Sequence, residues 1–207
     1  MNARDRILAK LRETLPRRES VAHPGPFGGW RPGSDPQGSL ARFQEMFEAA
    51  GGECVRVASL DEARAVVDKL AADHGTIVLG QTVPDDLAPD VPVAAAADAS
   101  LGLSIARGAI GETGSIVLDS RDGRRAQLLA PTHIVLIEGD AVHESLVDLL
   151  AEIADDLPAA IGLHSGPSKS ADIGQVMVRG VHGPGRLIAL IVAGDGSTGE
   201  PSGRRPS

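Results

Sequence analysis

Two stretches of this chain carry polar residues in a pattern that packing alone does not ask for. In Ala109-Ile110-Gly111-Glu112-Thr113-Gly114-Ser115, glycines bracket a carboxylate and a hydroxyl, and a second hydroxyl follows. The apolar run Ile116-Val117-Leu118 comes next. A glycine-loosened turn lets backbone amides and short side chains come close to a ligand. There Glu112 has the chemistry to move a proton or to attack as a nucleophile, with Thr113, Gly114 and Ser115 as binding groups. The plainer alternative is a turn whose Glu112 and Thr113 satisfy nearby backbone groups.

The second stretch is Ser165-Gly166-Pro167-Ser168-Lys169-Ser170-Ala171-Asp172-Ile173. It follows an expected strand, and a short helix is expected to open at Ser168 or Ser170. Helix N-terminal amides with the hydroxyls of Ser165, Ser168 and Ser170 and the Lys169 ammonium would form an anion site. Lys169 is one of three lysines, with Lys10 and Lys69, among 20 basic residues. In an arginine-preferring chain that hints at a compact point charge. The alternative is a capped helix start with a solvated lysine and Asp172 in the first turn. A third signal is the tight loop Gly180-Val181-His182-Gly183-Pro184. Loops of this kind line the ligand crevice in α/β folds, so His182 would orient a ligand or simply be solvated. His133 enters an apolar run and is expected at the edge of the core, bonded to backbone.

Several chemistries are absent from the sequence. The Glu112 turn is neither a G-x-x-x-x-G-K nor a G-x-G-x-x-G loop, and the sequence has no G-x-S-x-G elbow and no H-x-x-x-H pair. No carboxylate cluster has metal-ligand spacing, so no metal is expected. The single cysteine, Cys54, excludes an internal disulfide and a cysteine-bound iron–sulfur site made by this chain alone. Formal net charge is −8, which disfavours nucleic acid and anionic membrane as partners of the whole protein. Phe27, Trp30, Phe43 and Phe47 are all the aromatic rings, so nothing after residue 47 can stack a base or flavin on such a ring. No run of about 18 apolar residues exists to cross a membrane. Residues 1–15 lack the apolar stretch of a secretory signal, and Asp5 and Glu13 break an otherwise Arg-rich transit pattern. The expected location is the cytoplasm.

The elements that must hold these stretches are readable from periodicity. Ile7, Leu8, Leu11 and Leu15 give residues 5–15 a helical apolar face. Prolines 16, 24, 26, 32 and 36 among glycines make residues 16–38 an arm, which Phe27 and Trp30 would pin to the main domain or dock on a partner. We therefore divide the chain into an N-terminal helix and arm (1–38), an α/β domain (39–192) and a disordered tail (193–207). Within the domain, a helix spans Leu40 to Ala50, and a strand spans Cys54 to Val57. A helix capped by Ser59 and Glu62 then runs to Ala72, and a strand spans Thr76–Leu79. Such alternation argues for layered α/β structure with a mainly parallel sheet. Residues 81–100 read as a loop with a possible strand at 91–93, and 101–111 as either helix or strand. Ser115–Leu118, His133–Ile137, Ala159–Leu163 and Leu187–Val192 read as strands. Ser120–Gly123 reads as a hairpin turn with Gly123 at positive φ, and Asp140 as the cap of a helix through Ile153.

Taken together, Ala109–Leu118, Pro131-Thr132-His133-Ile134, Ser165–Ile173 and Gly180–Pro184 resemble the signatures of the LUD domain, more narrowly the lactate-utilization protein C family. Glu112 to Ser115 fall on its acid–Thr–Gly–Ser/Thr turn. Ser165 to Ile173 fall on its S-G-P-S-basic-S/T-A-D-I run, and His182 to Pro184 on its V-H-G-P. The resemblance implies a three-layer α/β/α sandwich similar to sugar-phosphate isomerases and CoA transferases. It also implies a subunit that supports oxidation of L-lactate to pyruvate beside iron–sulfur partner proteins, with the clusters on those partners. Two departures stand out. Arg107 and Gly174 occupy positions where many relatives carry carboxylates, which weakens any mechanism needing paired carboxylates or a metal. The ligand expected between the Glu112 turn and the Lys169 segment is a small anion. The alternatives are a scaffold or regulatory module with a vestigial pocket, and a free-standing isomerase or CoA-transferase-like enzyme.

Overall fold

Gly51-Gly52, Gly75 and the proline-rich stretch 81–100 cut the chain into the segments that become its elements. The structure, a computed structural model, describes residues 3–14, 36–170 and 178–193. Phe27, Trp30, Asp172 and the tail beyond Ala193 lie outside the described residues. The chain divides into two units, residues 1–33 and 34–207. The described part of the first is helix α1 (Ala3–Thr14), with Ile7, Leu8 and Leu11 exposed.

The second unit opens with α2 (Pro36–Ala49), which starts inside the stretch expected to be an arm. Proline suits a first helical position, where the missing N–H has no intrahelical partner anyway. Next come β1 (Glu53–Val57), α3 (Leu60–His74) and β2 (Ile77–Leu79), in the expected alternation. Ser59 caps α3 by accepting the Glu62 N–H at 3.2 Å. The Glu62 carboxylate accepts from Ala58 at 2.8 Å, one residue earlier than a regular capping box.

Residues 101–111, readable either way, form two strands: β3 (Leu101–Ile105) and β4 (Gly108–Ile110). Strand β5 (Ser115–Asp119) leads to Gly123, which has φ +95° as expected. The expected hairpin there is not formed. A short helix, α4 (Arg124–Leu129), follows the turn instead, because β5 finds its pairing partners elsewhere. After β6 (Thr132–Glu138), the helix expected from Asp140 to Ile153 is also corrected. Residues 139–141 make a 3-10 turn, and Val142–His143 form a strand, β7. The helix α5 (Leu146–Glu152) begins only after Ser145. Ser145 and Asp148 make a complete capping box, whereas Asp140 offers only a single cap. The chain ends with β8 (Ile161–His164), β9 (Lys169–Ser170), β10 (Val178–Arg179) and β11 (Arg186–Val192).

Five strands make a parallel sheet in the order β1-β11-β6-β3-β2. Successive residues point to opposite faces, so a strand buried on both sides must be apolar throughout. Ile134, Leu136, Ile188 and Leu190 pack on Ala63, Val67 and Ala71 of α3. Val135, Ile137, Leu187, Ala189 and Ile191 pack on Phe43 and Phe47 of α2 and on Ile116 and Leu118 of β5. The chain is thus an α/β protein with a parallel central sheet covered on both faces. One outer layer is α3. The other combines α2 with a four-stranded sheet, β7-β4-β5-β8, in which β5 runs antiparallel to both neighbours. Helix α4 packs beside β3 through Ala126 and Ala130.

Candidate functional site

Antiparallel pairing of β5 with β8 sets Ile116 against His164. The next step of that register brings Ser115 to Ser165, 50 residues away. Their hydroxyls share a hydrogen bond of 2.6 Å, and the Thr113 and Ser115 hydroxyls share another of 2.7 Å. Ser115 is buried, while Thr113 and Ser165 are exposed, so a chain of hydroxyls runs from the wall of the fold to solvent. Gly114 makes this possible. Its φ is +61°, and a Cβ there would sit 2.5 Å from the backbone nitrogen of Phe47 in α2. The first and second polar stretches therefore meet against the last turns of α2.

The second stretch is not a helix start. Lys169-Ser170 form β9, paired antiparallel with β10, so the expectation of helix N-terminal amides at Ser168 or Ser170 is corrected. Cross-strand pairing with 178–179 satisfies backbone groups that a local helix would otherwise have to satisfy. The Lys169 ammonium donates to the Ala50 carbonyl at the end of α2. A cation there also complements the negative end of the helix dipole. Gly166 passes within 3.1 Å of Ala50, as measured from an ideal Cβ, so this bend packs closely against the same helix end.

Ser168 ties the second stretch to the third. Its hydroxyl accepts the backbone N–H of His182 at 3.2 Å. Its own N–H donates to Pro184 at 2.8 Å, and its carbonyl accepts from Gly180 at 3.0 Å. The loop 180–185 lines a pocket of about 570 Å³ with His182, Val181, Leu128, Leu129 and Pro131. Pro131 and Gly185 immediately precede β6 and β11, so this pocket lies at the amino edge of the parallel sheet.

Glu112 is exposed and points to a different partner. Its Oε1 accepts the N–H of Leu146 at 3.2 Å, at the first turn of α5, and its backbone N–H donates to Glu144 at 2.9 Å. A carboxylate at a helix N-terminus satisfies an orphan donor and the dipole together. Glu112 and Lys169 thus each bind a helix end, while the serines between them bind one another.

The histidines and the cysteine are set by burial. His133 is fully buried and shares a hydrogen bond of 2.9 Å with the Ser104 hydroxyl, a side-chain partner rather than the expected backbone one. Desolvation, and secondarily the nearby His164, push its pKa down to about 3. Burial likewise lowers the His164 pKa. Burial and the Glu48 charge push the Cys54 thiol up to about 12, the opposite of a metal-ready thiolate. Among the described residues no group of three or more His, Cys, Asp and Glu could hold a metal ion, and none of the described helices is long and apolar enough to cross a membrane.

Sequence reading missed one polar group. Thr82, Arg107, Asp119, Arg121 and Asp122 line a pocket of about 240 Å³ with Ile105 and Ala106. It lies where β2 and β3 end, at the carboxyl edge of the parallel sheet. Ser120–Gly123 carried only a turn signal. Only the fold shows that Asp122 inside that turn is buried, where a turn carboxylate is ordinarily solvated.

Comparison with known proteins places these motifs in company. The LUD domain family matches residues 93–192. The Lactate utilization protein C of Deinococcus radiodurans is 36% identical over 169 residues, covering 74% of this chain and 79% of that protein. Lactate utilization protein C 1 of Bacillus mycoides is 34% identical over 115 residues, covering 52% of this chain and 48% of the relative. That of Geobacillus thermodenitrificans is 32% identical over 106 residues, covering 47% and 44%. The chain spans about half the length of the Bacillus and Geobacillus relatives it matches. A crystal structure of a DUF162 family protein from Deinococcus radiodurans superposes with TM-score 0.60 at 20% identity. It covers 77% of this chain and 99% of the solved chain, a likeness of fold.

Proposed function

This chain belongs to the lactate utilization protein C family, and from that premise we propose that it supports the oxidation of L-lactate to pyruvate as one subunit among iron–sulfur partner proteins. The observation that carries the site assignment is the 2.6 Å contact between Ser115 and Ser165, which joins two motifs distant in sequence. Thr113, Ser115 and Ser165 offer hydroxyls to a small anionic ligand at that junction. Gly114 and Gly166 keep the bends open to it, and Ser168 with Ser170 continues the polar wall. Lys169 supplies the neutralising charge by exchanging the Ala50 carbonyl for the ligand. His182, anchored through its backbone to Ser168, orients the ligand from the facing loop. Glu112 is the group that would move a proton or bond a hydroxyl. Electron transfer falls to the partners. A half-buried Cys54 with a thiol pushed up to about 12 does not fit a cluster ligand.

The test is growth on L-lactate of the source cells carrying Ser115→Ala with Ser165→Ala. The expected result is slowed growth on lactate, normal growth on pyruvate and an unchanged protein level. Parental growth on lactate contradicts the assignment. A second reading, a non-catalytic scaffold, is favoured by one observation: Glu112 and Lys169 both hold helix ends. Glu112→Gln separates the two, because the amide oxygen can still accept from Leu146 while the charge and the base are gone. Loss of lactate growth supports a chemical role for Glu112. Intact growth supports the scaffold.

A further inference from the structure

We infer that the carboxyl-edge pocket is a second binding site, for a small carboxylic acid that carries a hydrogen-bond donor on the carbon beside its carboxylate. The choice of acid rests on the lactate reading above, but the pocket itself does not. Ligands of parallel α/β sheets bind beyond the carboxyl ends of the strands, and this pocket opens there, between the ends of β2 and β3. At about 240 Å³ it is smaller than the roughly 300–1,000 Å³ of sites for drug-sized ligands, and it suits a metabolite of a few heavy atoms.

The lining carries both signs of charge. Asp122 is 2% exposed, and its Oδ1 accepts the Thr82 hydroxyl at 2.7 Å. Its Oδ2 is buried without a hydrogen-bond partner. The carboxylate lies directly on Gly80, where an added Cβ would stand 2.0 Å from Oδ1, so only glycine admits it. A buried carboxylate oxygen left unpaired is costly, and a ligand hydroxyl or ammonium would satisfy it once Asp122 turns that oxygen toward the pocket it lines. In the same lining, Arg121 is consumed by Asp119 and Asp156. Arg107 gives one N–H to Asp156 at 3.0 Å, one of the five donors a guanidinium has. Its planar fork matches a carboxylate. An acceptor and a guanidinium in one lining fit a 2-hydroxy or 2-amino acid.

The full-length protein is titrated calorimetrically with L-lactate, L-alanine and propionate. Lactate or alanine is expected to bind about tenfold or more tighter than propionate, since propionate leaves Oδ2 unpaired. Arg107→Gln, at a part-exposed position, is expected to weaken binding by a similar factor. Thr82→Val serves in place of Asp122→Asn should the latter fail to fold, and it too should weaken binding. Lactate binding supports both this pocket and the lactate reading. Alanine bound without lactate supports the pocket and counts against lactate as its ligand. Equal affinity for propionate, no binding of any probe, or unchanged affinity in Arg107→Gln overturns the proposal.

Discussion

His133 shows how far one residue's surroundings govern its chemistry. Sealed between strands beside Ser104, it stays neutral at every physiological pH, so it cannot serve as an acid–base group near pH 7. Its pKa falls from the ordinary 6.5 to about 3 on folding. Below pH 6.5 the unfolded chain therefore binds a proton that the folded chain refuses. This contribution is intact above 6.5 and is lost as pH falls toward 3. Between pH 6.5 and 5 the loss is about 2 kcal/mol, and urea unfolding at the two pH values measures it. His164 shifts in the same direction, so His133→Gln should reduce the slope without abolishing it. Glu53, held below the ordinary carboxylate range by Arg186, adds stability that is present above its ordinary pKa of 4.5 and is lost only as pH falls further. At this scale the sequence was a partial guide. The polar bends and their serines were legible because hydroxyls and glycines cluster there without an apolar period. The jobs of Glu112 and Lys169 were not, because each is set by a helix end that only the tertiary fold brings near. Asp122 escaped for a related reason: its burial depends on Gly80, 42 positions earlier, which no local pattern announces.

Among the elements, α5 shows why boundaries shift between pattern and structure. Val142 has the spacing of a helical face with Leu146, Leu149 and Ile153, yet it pairs with Ala109 of β4. A partner strand lies beside it, and extended backbone there bonds the sheet instead of itself. The helix must then restart, and Ser145 restarts it with two reciprocal bonds to Asp148 and a third helix-end contact from Glu112. Ser145→Ala should cost about 1 kcal/mol in denaturant unfolding, the usual value of an N-cap. A value within error of zero would mean that Glu112 alone suffices to hold the helix start. By contrast, α3 and the strands flanking it read correctly, because cap, apolar face and terminal glycine agree locally at Ser59, Val67 and Gly75. Residues 101–111 could not be resolved in advance. Apolar runs broken by glycine fit either period, and it is the neighbouring strands β2, β6 and β5 that select extended structure.

At the scale of the whole molecule, the parallel sheet separates two polar regions. The junction of Ser115, Ser165 and Ser168 lies against the end of α2 and the loop before β11, on the amino-edge side. The pocket of Thr82, Arg107 and Asp122 lies at the carboxyl edge. Among the described residues no group of three or more His, Cys, Asp and Glu could hold a metal ion, and Cys54 is a lone free cysteine. The lactate role proposed for this chain predicts that cysteine-rich iron–sulfur proteins associate with it. The direct measurement is recovery of the tagged full-length protein from cells grown on L-lactate, with identification of what accompanies it. Cysteine-rich iron–sulfur proteins are expected in the recovered material, in fixed proportion to the bait and absent from a mock recovery. A bait recovered alone, from cells that still oxidise lactate, would contradict the account.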